Sequence, residues 1–140
     1  MFLLDTNVLS ELRRQKPHGA VLAWLQGIHA SELRIPAVTI AELQDGAELT
    51  RRQNPVKAVQ LDRWIERIMN TFAVIPMDGV HFREWSRLMV GKSGDLAADA
   101  MIAATARIHR MTVVTRNVKD FKVFKVDLFN PFTYRIGKTS

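Results

Sequence analysis

The chain has 140 residues, 47% of them hydrophobic, no cysteine and a formal net charge of +6. This length fits one domain spanning residues 1–140, and the lack of cysteine excludes disulfide frameworks, thiolate nucleophiles and zinc sites built on sulfur. The apolar residues 1–4 meet Asp5 too early for a signal peptide or a membrane span, so we expect a soluble cytoplasmic protein without membrane association.

Short apolar runs alternate with amphipathic stretches along the chain, which is typical of an α/β domain. Strands are predicted at residues 2–4, 33–35, 72–76 and 111–115, with a short edge strand at 126–128. Helices are predicted at residues 6–14, 21–28, 39–52, 55–70, 80–89 and 96–110. Because each crossover helix returns the chain in the same direction, the strands should run parallel. The predicted fold is a three-layer α/β/α sandwich with a small parallel sheet of four or five strands.

The positive charge is concentrated near the end of the chain. Residues 1–106 carry 12 basic and 12 acidic residues, whereas the last 34 residues carry eight basic and two acidic ones. The eight are Arg107, Arg110, Arg116, Lys119, Lys122, Lys125, Arg135 and Lys138. A one-sided basic region attracts polyanions, of which nucleic acid is the commonest in cytoplasm. Charge alone leaves open the alternative of a solvated basic tail without a partner.

Polar side chains follow three of the predicted strands, and ligands of open parallel sheets bind beyond the carboxyl ends of strands. In chain order these residues are Asp5, Asn7, Glu42, Thr115, Arg116, Asn117 and Asp120. Each also has a purely structural interpretation. Asp5 suits a helix cap, Thr39 and Glu42 match the S/T-x-x-E capping box, Asn117 suits a cap or a turn, and Asp120 suits a surface charge.

Asp99 is the acid that is hardest to explain as a surface residue. Residues 96–98 and 100–104 around it are all apolar, so its helix should be buried between layers. Asp99 shares a helical face with Ile102, Ala103 and Ala106 and is therefore expected to point inward. A carboxylate in such a place persists when it is paired with a cation or bound to a metal. Asp95, one turn earlier, is better explained as a cap or a solvated charge.

Four acids in one pocket predict a metal site. Asp5, Glu42, Asp99 and Asp120 would repel one another strongly if they met at one edge of the sheet. Oxygen ligands select hard divalent ions, and Mg²⁺ or Mn²⁺ fits best. Such an ion can hold a phosphodiester and activate a water molecule. The pattern therefore favours metal-dependent phosphodiester hydrolysis, with the basic region holding the substrate backbone.

The same residues stand in segments that resemble a known family. The segments are LLDTNVLSE at 3–11, TIAEL at 39–43, ADAMIAATA at 98–106, TRNVKDF at 115–121 and NPF at 130–132. In order and spacing they are similar to the PIN-domain ribonucleases, and most closely to the VapC toxins in their FitB-like subgroup. The resemblance covers nearly the whole chain and implies a single PIN domain over residues 1–140.

The resemblance implies a function, a site and partners. It implies a Mg²⁺- or Mn²⁺-dependent endoribonuclease that cleaves RNA by in-line attack of a metal-activated water and acts as the toxin of a type II toxin–antitoxin pair. It implies a cognate VapB-type antitoxin and a homodimer. The implied residues are the metal-site and catalytic acids Asp5, Glu42, Asp99 and Asp120, the supporting Asn7, Thr115 and Asn117, and the phosphate-binding Arg116 and Lys119. Many PIN domains have an acid where Asn117 stands, which leaves open whether Asp120 ligates the metal directly or through water.

Two other functions are alternatives to the metal-dependent ribonuclease. Phosphotransfer through an aspartyl phosphate is disfavoured, because Asn7 takes the second acidic place of the D-x-D-x-T pattern. The main alternative is a module of the same fold that binds nucleic acid or an antitoxin without cutting. The histidines, His18, His29, His81 and His109, show no metal-ligand spacing and are predicted near helix ends or on helix surfaces.

Overall fold

The computed structural model describes residues 1–136 and shows a five-stranded sheet between helices. The strands are β1 (Phe2–Leu4), β2 (Leu33–Pro36), β3 (Ala73–Ile75), β4 (Thr112–Val114) and β5 (Leu128–Phe129). They pair in the order β3-β2-β1-β4-β5, and each of these pairings is parallel. The predicted α/β sandwich with a small parallel sheet is confirmed. Lys138, one of the eight basic residues, lies outside the described residues.

Seven α-helices accompany the strands in the described part of the chain. They are α1 (Thr6–Glu11), α2 (Gly19–Gln26), α3 (Ala37–Arg51), α4 (Pro55–Thr71), α5 (Gly79–Met89), α6 (Ala97–His109) and α7 (Val118–Phe121). Among residues 1–136, none of the helices combines the length and the apolar character that crossing a membrane requires.

Hydrophobic cores lie on both faces of the sheet because neighbouring residues of each strand point to opposite sides. In β1, Leu3 packs on one face with α6 and Phe121, while Leu4 packs on the other with α1 and Trp24. Val113 and Val114 of β4 divide between the two cores in the same way. Burial on both faces is typical of parallel sheets and explains why the strands read as continuous apolar runs.

The end of α1 and the start of α3 are among the helix boundaries that differ from the sequence prediction. The first helix ends at Glu11 rather than at Arg14, because the buried Glu11 carboxylate accepts the backbone N–H of His18 at 2.9 Å and so holds the turn that follows. Helix α3 begins at Ala37, with Pro36 as its cap residue and no capping side chain. The interpretation of Thr39 and Glu42 as a capping box is therefore wrong, since both lie inside α3.

A pair of histidines, His81 near the start of α5 and His109 at the end of α6, joins these two helices. His81 is only 6% exposed. Its Nδ1 atom lies 2.7 Å from the Asp78 carboxylate and 3.3 Å from the backbone nitrogen of Asp78. Its Nε2 atom lies 2.9 Å from that of His109, so one of these two nitrogens donates to the other. Both histidines lie near helix ends as predicted, but the sequence did not predict their contact, because 28 residues separate them along the chain.

We expect the substitution His109→Ala to destabilise the fold by about 1–2 kcal/mol, because it leaves a buried imidazole nitrogen without a partner. Urea unfolding followed by circular dichroism would measure the loss. The substitution His109→Gln keeps a donor within reach and should cost less. Equal stability of His109→Ala and the unmodified protein would contradict a stabilising role for this pair.

Candidate active site

The parallel register of β1 and β4 places Asp5 beside the end of the neighbouring strand. Leu4 pairs with Val114, and the next backbone N–H, that of Asp5, donates to the Val114 carbonyl at 2.9 Å. Asp5 and Thr115 are therefore the first residues beyond adjacent strands. Asp5 is 5% exposed and Thr115 is fully buried, so their side chains meet away from bulk water.

The Asp5 carboxylate is held by three donors. Its Oδ1 accepts the backbone N–H of Thr6 at 2.8 Å. Its Oδ2 accepts the hydroxyl of Thr115 at 2.8 Å and the side-chain amide of Asn7 at 3.1 Å. Burial raises the pKa of Asp5, and these hydrogen bonds oppose the shift. Asp5 caps α1 as expected for a structural residue, yet the other two donors fix its orientation beyond what a cap needs.

Thr6 links Asp5 to Glu42. Its hydroxyl donates to Glu42 Oε1 at 2.8 Å, while its backbone N–H donates to Asp5. Glu42 remains accessible to solvent at the first turns of α3. Partial burial of its carboxylate raises the pKa of Glu42, and the negative charges of Asp5 and Asp45 raise it further. The hydrogen bond from Thr6 acts in the opposite direction.

Asp99 lies in the first turn of α6, where the negative charges of the other acids act on its carboxylate. Helix α6 leads from the carboxyl-end edge of the sheet back to the start of β4, which brings Asp99 to the same edge as Asp5. Partial burial and the repulsion of neighbouring carboxylates raise the pKa of Asp99 to about 6. In decreasing order of effect, those neighbours are Asp5, Asp120 and Glu42. Asp99 is less buried than the sequence predicted, since part of its surface reaches solvent.

The four acids share one region and form no ion pairs within the described residues. Asp120, exposed in α7, contributes to the repulsion at Asp99. The ion pairs found within residues 1–136 involve other carboxylates and leave these four unpaired. Like charges brought together in this way are costly unless a proton or a cation joins them.

The donor set suits a hard divalent ion, which supplies the missing positive charge. Carboxylate oxygens are the ligands that Mg²⁺ and Mn²⁺ prefer. Within the described residues, no three His, Asp or Glu side chains form a ready-made metal-binding group. The acids therefore fit such an ion by donor type and by charge, and they would have to draw together around it.

Thr115, Asn7 and Asn117 form a network behind the acids. The Thr115 hydroxyl donates to Asp5 and accepts the backbone N–H of Asn117 at 2.9 Å. Asn7 donates to Asp5 and accepts the backbone N–H of Arg116 at 3.1 Å. Asn117 occupies the N-cap position of α7, as the sequence allowed, but its side chain makes no capping hydrogen bond. Lys119 is exposed in α7, on the same element as Asp120.

Part of the basic region lies away from the acids. Arg107, Arg110 and Lys125 line a cavity of about 460 Å³ beside the amino ends of β4 and β5. Arg107 is already engaged there, since it donates to the carbonyls of Phe124 and Lys125 and lies 3.6 Å from Glu84. The basic residues that directly follow β4, at the same end of this strand as Asp5, are Arg116 and Lys119, and the expected contact with a substrate backbone is limited to these two.

Thr6 is the residue that sequence reasoning missed. Thr6 is not among the candidate site residues predicted from the sequence, yet its backbone N–H donates to Asp5 and its hydroxyl donates to Glu42. Its position directly after Asp5 at a strand end was the available signal. The link to Glu42 could not be inferred, because it depends on how α3 packs against α1.

Comparison with known proteins finds relatives along almost the whole chain. The family profile described as PIN domain matches residues 2–126. Toxin FitB of Neisseria gonorrhoeae is 36% identical over 138 residues, covering 94% of this chain and 99% of that protein. VapC ribonuclease Y4jK of Sinorhizobium fredii is 35% identical over 143 residues, covering 94% and 98%. The structure of FitAB bound to an IR36 DNA fragment aligns with a TM-score of 0.84 at 33% identity, covering 99% of this chain and 100% of that one.

The raised pKa of Asp99 predicts a pH-dependent cost in the metal-free protein. The folded state holds this proton up to about pH 6, whereas the ordinary pKa of an aspartate is 3.8. Folding stability from this group is therefore complete below pH 3.8 and is lost as the pH rises through 6. We expect Asp99→Asn to be more stable than the unmodified protein at pH 8 by roughly 1 kcal/mol, a value reduced for solvent screening.

Urea unfolding in EDTA at several pH values would measure this difference. The advantage of Asp99→Asn should shrink as the pH falls toward 4. The exposed Asp95, just before α6, offers a matched control, and Asp95→Asn should show no such trend. An advantage of Asp99→Asn that is independent of pH would contradict repulsion as its cause.

Proposed function

Because this chain belongs to the PIN domain family, we propose that it is a metal-dependent endoribonuclease and the toxin of a type II toxin–antitoxin pair. The observation that carries this proposal is the group of four carboxylates, none of which makes an ion pair within residues 1–136. The relative named as a VapC ribonuclease supports RNA as the substrate, and the relative named Toxin FitB supports the biological role. The proposal treats residues 1–140 as a single PIN domain.

In this proposal Asp5, Glu42 and Asp99 hold the metal ion, with Asp120 joining directly or through water. Because these carboxylates repel one another in the metal-free site, a bound cation relieves the repulsion and lowers the free energy of the site. This is a physical reason for the four acids to lie together. When bound, a divalent ion polarises the phosphodiester and makes a water molecule a better nucleophile. Mg²⁺ is the proposed cofactor, and Mn²⁺ should also support activity.

Other residues of this chain position the reactants. Thr115 and Asn7 keep the Asp5 carboxylate in one orientation, and Thr6 does the same for Glu42. A carboxylate oriented in this way can accept a proton of the attacking water and align it with the phosphorus. The Arg116 guanidinium, and Lys119 in α7, are proposed to neutralise phosphate charge next to the cleaved bond.

The proposed partner is a small antitoxin of the VapB type. A cavity of about 260 Å³ runs between α1, α3 and α4, with Thr6 and Glu42 among its lining residues and Trp64 also on its wall. A segment lying in this cavity would cover Glu42 and reach the other acids, which gives a direct means of inhibition. The FitAB structure supports such a two-component assembly. A homodimer is inferred from the family resemblance.

Purified protein should cleave labelled single-stranded RNA with Mg²⁺ or Mn²⁺, lose activity in EDTA and regain it when Mn²⁺ is restored. Asp5→Asn and Asp99→Asn should lower the rate by about a hundredfold or more, since each removes one of the charges that hold the ion. Gel analysis of the cleavage products would measure both effects. Cleavage by Asp99→Asn at the unmodified rate would exclude Asp99 from the site.

Two controls separate a lost metal site from a lost fold. Asp95→Asn removes an exposed acid next to the same helix and should cleave normally. Mn²⁺ should raise the unfolding temperature of the unmodified protein and of Asp95→Asn by mass action, and much less that of Asp99→Asn. RNA binding without cleavage under every metal condition would favour the alternative, a non-catalytic binding module.

Production of this chain in a bacterial host should arrest growth, and co-production of the antitoxin encoded beside it should restore growth. Asp99→Asn should be harmless alone and should still co-purify with that antitoxin. Growth curves and affinity purification would measure the two effects. Failure of the neighbouring protein both to restore growth and to co-purify would contradict the toxin role while leaving nuclease activity open.

A further inference from the structure

The guanidinium of Arg116, the residue that follows Thr115, lies over the ring of Phe132. The guanidinium carbon of Arg116 is 4.7 Å from the centroid of the Phe132 ring. Phe132 is partly buried against the core that contains Leu4. The Phe132 ring also packs against the His18 ring in an edge-to-face arrangement, with ring centroids 5.1 Å apart at an interplanar angle of 65°. The ring is thus held in place and in turn holds the guanidinium.

The position of Arg116 is fixed relative to the Asp5 carboxylate. Its backbone N–H donates to Asn7, which donates to Asp5. Its predecessor in the chain, Thr115, donates to the same carboxylate. Two short routes of hydrogen bonds and peptide links therefore connect the stacked pair to the acids. The backbone of Arg116 is therefore held close to Asp5, so a ligand bound at the pair would lie near the acids.

The Arg116 guanidinium has no acceptor of its own in the described part of the chain. No ion pair or side-chain hydrogen bond of Arg116 occurs within residues 1–136. By contrast, Arg51 pairs with Glu48 and Asp62. An exposed, ring-anchored guanidinium with free donors presents a flat cation to solvent. Such a group stacks on nucleobases through its face and binds phosphate through its edge.

We propose that Arg116 and Phe132 form a base-binding platform for single-stranded RNA, on which the base next to the cleaved phosphodiester stacks. The proposal rests on the ribonuclease function and deepens it, because it assigns a subsite for a nucleobase where only a phosphate contact was expected. A stacked base would fix the adjoining phosphate relative to the acids. Stacking tolerates every base, so the platform contributes positioning more than sequence choice.

The platform predicts a preference for RNA that carries bases over RNA that lacks them. Two labelled single strands of equal phosphate number are compared by fluorescence anisotropy in EDTA at low salt: an oligouridylate and an oligomer of abasic riboses. The unmodified protein should bind the oligouridylate about tenfold more tightly, as expected for stacking of one base. Equal binding of the two strands, or no binding of either, would overturn the proposal.

Substitutions separate stacking from charge. Arg116→Lys keeps the charge but not the plane, so it should lose the preference and keep the salt dependence of binding. Phe132→Leu should lose the preference through the loss of the anchoring ring. Lys122→Met is the matched control for Arg116→Met, since each removes one exposed positive charge from the basic region. Lys122→Met should retain the preference, whereas Arg116→Met should not. If Arg116→Lys retained the preference for the oligouridylate, the planar guanidinium would not be needed, and the platform proposal would be overturned.

The binding assay is independent of cleavage, so the two proposals fail separately. A protein that prefers the oligouridylate but cuts no RNA with Mn²⁺ would contradict the ribonuclease and leave the platform in place. A protein that cuts RNA without the preference would contradict the platform alone. Thermal unfolding of each variant checks that it is folded.

Discussion

Repulsion among four carboxylates is the constraint around which this edge of the sheet is built. Asp99 shows it most clearly, because its pKa rises to about 6 although the first turn of a helix ordinarily favours a negative charge. Burial and the neighbouring acids outweigh that favourable dipole. The fold tolerates the arrangement because Asp5, the most buried acid, receives three hydrogen bonds, and because parallel strands bring their polar residues to one edge.

Most of the architecture could be predicted from local pattern, whereas the contacts inside the site could not. Apolar runs bounded by polar residues locate strands, and a crossover helix between strands dictates parallel pairing. The strand ends then indicate Asp5 and Thr115 as neighbours. The Thr6–Glu42 hydrogen bond and the His81–His109 contact depend on interhelix packing between segments far apart in sequence. No local spacing rule reports such contacts.

The errors at helix ends have a common physical origin. A capping box is a local pattern, and the match of Thr39 and Glu42 to it was correct as a pattern. The helix nevertheless begins two residues earlier, because the chain enters α3 directly from β2 through Pro36. At α1 the opposite occurs, since a side-chain contact from Glu11 to the backbone of His18 ends the helix sooner than periodicity indicates. Tertiary contacts override propensity at both places.

Leu3 and Leu4 point into the two cores on opposite faces of the sheet, and this alternation also fixes the position of Asp5 at the end of β1. Inserting or deleting one residue in β1 would exchange the faces of both leucines and, in the same step, move Asp5 out of line with Thr115. The acid cannot be shifted along the strand while the cores stay intact. The length of β1 is therefore constrained in natural and engineered variants alike. The properties of the site can change only through substitution of side chains at this edge of the sheet.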